Sequence, residues 1–205
     1  MSFQFELYTI KMKKILFAFA ALIIVAACGN KQVVAPAEGD GVSNEAGEAQ
    51  SKDYYAAIDR YLAEKIAGHY AKGEYSVPVY QEVAVNADDS TDIRIWGDFW
   101  VYNYKQVGDT LKCVSGGNHP GLMHVCQKGE YFYVSDFEQV EDGSRFLPSA
   151  KRIFGEYFET FQIHHSDGDE HESLRHDVLR AFVRDHGLSA TMYQDYGWPA
   201  KDLNL

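Results

Sequence analysis

The chain is poor in basic residues and lacks a long apolar run. Lys and Arg total 19 against 30 Asp and Glu, which gives a net charge of −11 over 205 residues. A charge of that sign repels a phosphate backbone, so we expect no nucleic-acid partner. The longest apolar stretch, residues 15–27, holds 13 residues, whereas a membrane-spanning helix needs about 20. A multispan membrane protein is therefore excluded.

Common catalytic and cofactor motifs are also missing. The sequence contains no Walker loop, no GxSxG nucleophile elbow, no HExxH zinc motif and no dinucleotide fingerprint. Residues 164–177, HHSDGDEHESLRHD, hold four of the eight histidines, but His171 and His176 are five apart and do not share a helix face. We therefore predict no metal and no cofactor, and favour a solvated acidic loop that leads into a capped helix.

The N-terminal segment has the pattern of a secretory signal. Lys13 and Lys14 precede the apolar run, and small residues lead directly to Cys28. The sequence Val25-Ala26-Ala27-Cys28 resembles the lipobox of bacterial lipoproteins, whose usual form is Leu-Ala-Gly/Ala-Cys. The resemblance implies that residues 1–27 are removed and that Cys28 carries diacylglycerol on its sulfur and an acyl chain, such as palmitate, on its amine. Two or more acyl chains give stable membrane anchoring.

The flanking residues indicate the location of the anchored protein. Met12 is a better start than Met1, so residues 1–11 are a candidate gene-start artefact. Residues 28–51 are rich in Gly, Ala and acidic side chains and contain no aromatic ring, which is typical of a flexible tether. Gly29 replaces the Asp that retains enteric lipoproteins in the inner membrane, and Asn30-Lys31-Gln32 is not the acidic signal of surface export. The resemblance therefore implies the outer membrane, at its periplasmic face.

Residues 52–205 are predicted to form one α+β domain. The helical spacing of apolar residues indicates an N-terminal helix over 53–72, and Gly73 provides its stop. Between about 77 and 140, apolar runs separated by turn signals predict a bent antiparallel meander of about five strands. Its longest strand, 93–105, has Gly97 as the natural position for a kink. Two helices, over 146–164 and 170–185, close the fold.

This order of elements resembles the cone-shaped nuclear transport factor two-like and cystatin-like folds of many small bacterial lipoproteins. The likeness covers residues 53–165, concerns element order alone and rests on no sequence motif. It implies a concave sheet that often holds a small ligand, and it implies no particular reaction.

The long strand carries most of the candidate ligand-binding residues. Four of them alternate along one face: Trp96, Asp98, Trp100 and Tyr102. If Val107-Gly108 forms the next turn, position 98 pairs with about position 117, and His119 of the Gly-rich turn 115–121 joins the set. A carboxylate and an imidazole between aromatic walls suit a polar small molecule. In the alternative, Asp98 bonds the kinked backbone and His119 is only an exposed turn residue.

Two cysteines remain if Cys28 is lipidated. Cys113 and Cys126 make an even count in an oxidising compartment, which favours a disulfide. Their midpoint falls in the turn 115–121, so we predict that they face each other across a hairpin. A metal or redox pair would need a shorter CxxC spacing.

Three functions remain open. We favour a non-catalytic small-ligand module, with an enzyme the less favoured class. A second candidate is a protein-interaction, envelope-assembly or enzyme-inhibitor module that works through residues 115–121. The third is an enzyme in which Asp98 and His119 act as acid and base. The aromatic segment 193–199 either docks back on the domain or exposes a recognition patch.

Overall fold

The structure, a computed structural model, describes residues 54–205. The predicted signal segment 1–27, the predicted lipidation site Cys28 and the predicted tether 28–51 lie outside the described residues. The described part is an α+β fold, as predicted: a seven-stranded sheet has one helix packed on one face and three on the other. No helix among these residues has the length and apolar character needed to cross a membrane.

The N-terminal helix follows the predicted apolar spacing but ends earlier than expected. Helix α1 spans Tyr54–Tyr61 and continues as a π-helical turn, Leu62–Ile66, and a 3-10 turn, Ala67–His69. Its buried side chains form one core with the sheet: Ala57, Ile58, Leu62, Ile66 and Ala67. Gly73 lies beyond the helix end. A Cβ there would come within 2.5 Å of the Tyr104 carbonyl oxygen, so the glycine permits close backbone approach.

The sheet is organised around its second strand. The first five strands are β1 Tyr75–Asn86, β2 Ile93–Val107, β3 Thr110–Asn118, β4 Gly121–Lys128 and β5 Tyr131–Gln139. Two short strands follow the helices, β6 Met192–Gln194 and β7 Lys201–Asp202. The order is β5-β4-β2-β3-β6-β7, and β1 pairs with the remaining edge of β2. All pairs are antiparallel except β3 with β6.

The connection between β3 and β4 differs from the predicted hairpin. Trp100 pairs with Asn118 and Gly97 pairs with Gly121, so β3 and β4 follow one another along the same edge of β2. The predicted turn 115–121 is therefore largely extended strand. Its glycines serve close packing: a Cβ on Gly116 would approach the Val101 carbonyl oxygen to 2.5 Å, and one on Gly117 would collide with the Tyr70 hydroxyl.

The predicted disulfide between Cys113 and Cys126 is not formed. Cys113 lies in β3 opposite Tyr104, and Cys126 lies in β4 opposite Tyr133. The two cysteines are thirteen residues apart on nearly continuous strand, which rises about 3.3 Å per residue. Their Cα atoms are therefore much farther apart than the about 6 Å that a disulfide allows. Both thiols are free.

Three helices cover the second face of the sheet. The predicted helix 146–164 is two helices, α2 Phe146–Phe154 and α3 Phe158–Ser166, separated at Gly155, where φ is 53°. Helix α4 spans Gly168–Asp185 and is capped by Asp167, whose carboxylate accepts a hydrogen bond from the Glu170 N–H over 2.9 Å.

We expect both thiols to be free in protein isolated from an oxidising compartment, because the strand register keeps them apart. The chain would be unfolded with iodoacetamide and no reductant, and digested. Mass spectrometry should then show the Cys113 peptide and the Cys126 peptide each singly alkylated. Recovery of the two peptides joined to each other would contradict the register.

Candidate functional site

The five candidate ligand-binding residues do not converge on one cavity. Four lie on the face of β2 that the helices α2–α4 cover: Trp96, Asp98, Trp100 and Tyr102. His119 lies on the α1 face. Its backbone N–H donates to the Phe99 carbonyl over 2.6 Å, so the two residues are cross-strand neighbours on one face, and Phe99 belongs to the α1 core. Its Nε2 forms a 2.7 Å hydrogen bond with the Tyr70 hydroxyl. The predicted Asp98–His119 pair is therefore absent, since adjacent register positions point to opposite faces.

Trp96 and Asp98 are covered by helices α2 and α3. The Trp96 indole N–H donates to the Ile153 carbonyl of α2 over 2.9 Å. Asp98 has no exposed surface; its Oδ1 accepts from Asn118 Nδ2 over 2.5 Å, and its Oδ2 lies 2.7 Å from His165 Nδ1 of α3. The hydrogen bond to Asp98 raises the pKa of His165 above its ordinary value, although partial burial opposes this. Asp98 thus joins α3 to the sheet.

Trp100 and Tyr102 both contact the imidazole of His171 in α4. The ring of His171 stacks on Trp100 with centroids 3.9 Å apart, and its Nε2 lies 2.7 Å from the Tyr102 hydroxyl. Burial lowers the pKa of His171, and the nearby Arg175 lowers it further, so both favour the neutral imidazole. Its Nδ1 is buried and has no hydrogen-bond partner among residues 54–205.

Arg175 holds the C-terminal segment against this face. Its side chain is only 5% exposed, and two of its nitrogens bind the Asp195 carboxylate over 2.6 and 2.8 Å. It also donates to the Tyr104 hydroxyl and lies 4.1 Å from the centre of the Tyr102 ring. Burial lowers the pKa of Arg175, but its hydrogen bonds to Asp195 and Tyr104 outweigh this and raise the pKa above its ordinary value. The hydrogen bond from Arg175 lowers the pKa of Asp195.

The Asp195 ion pair lies where β6 ends. β6 pairs with β3 only as far as Lys112, and at the next position the Asp195 side chain is bound to Arg175. On the other side, pairing with β5 reaches Gly121, and the Val140 N–H donates to the Pro120 carbonyl over 2.8 Å. Between these limits, residues 113–118 have no described strand on their outer side. We call residues 113–118 the edge gap.

The edge gap borders an open groove of about 330 Å³. Its walls are the strand backbone of the edge gap, the rings of Trp100 and Tyr102, and Tyr196, whose side chain is 97% exposed. Its volume lies at the low end of small-molecule sites, which span about 300–1,000 Å³. A larger groove, of about 630 Å³, runs along β1 between α1 and α4 and contains none of the predicted site residues.

The backbone of the edge gap points outward at alternate residues. The backbone N–H of His119 donates to the Phe99 carbonyl of β2. In an antiparallel ladder every second residue bonds the partner strand, so the backbone groups of positions 117 and 115 also point toward β2. Gly116 and Asn118 therefore direct their N–H and C=O groups away from β2. The groove thus offers two donors and two acceptors beside aromatic rings, with no charged side chain in residues 113–118.

No protein-family model, no curated protein and no solved structure matches this chain. Within residues 54–205, no group of three or more His, Cys, Asp or Glu side chains is placed to hold a metal ion. A functional inference for this chain therefore rests on the geometry of its described residues.

Sequence reasoning missed the helix residues that meet the sheet: His165, His171 and Arg175. A signal existed for Arg175, which lies four residues before the buried Leu179 on the apolar side of α4. Its partner Asp195 had no such signal. In the aromatic segment 193–199, Tyr193 is buried against the domain, whereas Tyr196 and Trp198 are exposed.

We expect Arg175→Met to lower the free energy of unfolding by about 3 kcal/mol, because it leaves the Asp195 carboxylate and the buried Tyr104 hydroxyl without their partner. Chemical denaturation measures the change. Arg184→Met is the matched control on the same helix. Its side chain is 72% exposed and its ion pair lies at the surface, so the loss should stay below about 0.5 kcal/mol. Equal losses in the two variants would refute the role of Arg175.

Proposed function

We propose that this protein is a non-catalytic binding module of the bacterial cell envelope, and that its ligand occupies the groove at the edge gap. The observation that carries the proposal is the backbone of Gly116 and Asn118, which no strand among residues 54–205 pairs on its outer side, beside the rings of Trp100, Tyr102 and Tyr196. Ligand sites typically combine apolar walls with a few polar groups in defined positions. Aromatic rings supply large contact areas at low entropic cost.

The two carboxylates near the groove favour binding over catalysis. Asp98 is bonded to Asn118 and His165, and Asp195 is bonded to Arg175. A general acid or base must instead reach the substrate proton with a free side chain. An acid–base pair of Asp98 and His119 has no geometric support, since the sheet lies between them.

The second part of the proposal is the anchor. It is supported by the lipobox-like Val25-Ala26-Ala27-Cys28 and the acidic linker that follows, which suit a domain held at the periplasmic face of the outer membrane. Intact-mass spectrometry of the full chain from a bacterial host should show a protein that begins at residue 28 and carries lipid. Cys28→Ser should carry none. An unlipidated mature wild-type chain would contradict the anchor.

The groove is tested by two exposed aromatic residues of one loop. We expect the full chain, extracted from a bacterial host in mild detergent, to show a bound host molecule in native mass spectrometry that is lost on gentle activation. Tyr196→Ala should reduce the bound fraction about tenfold, as aromatic anchors do at binding sites. Trp198→Ala is the matched control, because Trp198 is 69% exposed but does not line this groove. Absence of an adduct, or equal occupancy in both variants, contradicts the proposal.

A further inference from the structure

We infer that the ligand of this groove is a short extended peptide segment of another protein, which adds a strand to the sheet at the edge gap. The inference rests on the proposed function, because it assigns the ligand class of the same groove. It would make the protein a recognition module for an unfolded or loop segment of an envelope partner.

The spacing of the free backbone groups fits a peptide. Gly116 and Asn118 are two residues apart in β3, so their outward N–H and C=O groups repeat about every 6.6 Å. A β-strand laid beside them has the same repeat and pairs with all four groups. One extended backbone can therefore form hydrogen bonds with all of these outward N–H and C=O groups at the same time.

The ends of the edge gap limit the length of the occupant. Pairing of Lys112 with Gln194 closes one end, and pairing of Gly121 with Gln139 closes the other. The six open residues span about 20 Å. A long edge strand, such as β1 of a second copy, would meet β5 or β6 before it could pair. The occupant is therefore a segment of about four to six residues, whose ends turn away from the sheet.

The side chains around the edge gap indicate what the segment carries. Gly116 has no side chain, and beside it the rings of Trp100 and Tyr102 and the exposed Tyr196 border open space. A side chain of the incoming strand that points to this face would pack on those rings. Since residues 113–118 carry no charge and Val114 is 45% exposed, we expect apolar or aromatic residues at the contact.

The edge gap also lacks proline and charged side chains, which are two of the features that protect an open edge. Proteins block free edges with proline or charged side chains, because unpaired strands recruit other chains. The outer edge of β1 has both, with Pro78 and the exposed Glu82. Residues 113–118 have neither, although a bulge interrupts the strand near Val114. This contrast favours an edge that is kept open for pairing.

The experiment uses two variants of one residue. Asn118→Pro and Asn118→Ala both lose the side-chain bond to Asp98, but only proline removes the outward N–H, and proline is tolerated at an edge where no ladder bond is lost. Phage-displayed random heptapeptides are selected on the full chain in detergent, and the enriched peptides are synthesised. Titration by tryptophan fluorescence should show about tenfold weaker binding to Asn118→Pro than to Asn118→Ala.

A second measurement uses only the wild-type chain, so it does not depend on how the proline variant folds. Single N-methylation at alternate amides of the selected peptide should weaken binding about tenfold in one register and little in the other. Equal affinity of the two Asn118 variants, or no effect of N-methylation at any amide, overturns the inference. If no peptide is enriched but a host adduct depends on Tyr196, the proposed function stands and the ligand is not a peptide. If neither is found, both proposals fail.

Discussion

The continuous pairing of β2 with β3 and then β4 is the constraint on which the rest of the structure depends. Because two strands occupy one edge of a 15-residue strand, Cys113 and Cys126 lie at opposite ends of that edge. The same register puts His119 on the α1 face and Asp98 on the other. It also leaves the edge gap, since β5 pairs with β4 and β6 reaches only the start of β3.

The polar groups on the helix-covered face attach helices to the sheet. Asp98 with His165 joins α3, Tyr102 with His171 joins α4, and Arg175 joins the C-terminal segment through Asp195. Buried charges cost free energy unless they are paired, and breaking such a pair is strongly destabilising. The face predicted to line a cavity is therefore a core with polar connections, and only its outer end at Trp100 and Tyr102 remains open.

Much of the fold could be predicted because its signals are local. The α+β class, the alternation along β2 and the helices after the sheet follow from periods of two and 3.6 residues. The prediction of a hairpin between the cysteines was wrong because Gly116-Gly117 was interpreted as part of a turn. Glycine serves positive φ in turns and close approach in strands, and the sequence does not distinguish the two uses. Here Val101 and Tyr70 lie where side chains would be.

The sequence by itself determined which residues share a face of β2 and that helical segments precede and follow the sheet, because backbone periodicity depends on neighbouring residues alone. Only the tertiary structure decided that Asp98 meets His165, 67 residues away, and that Arg175 meets Asp195. Partner choice at that separation depends on strand register and helix packing, and a one-residue change of register exchanges the faces. The edge gap is likewise a tertiary feature, because a strand has a free edge only where no other strand reaches it.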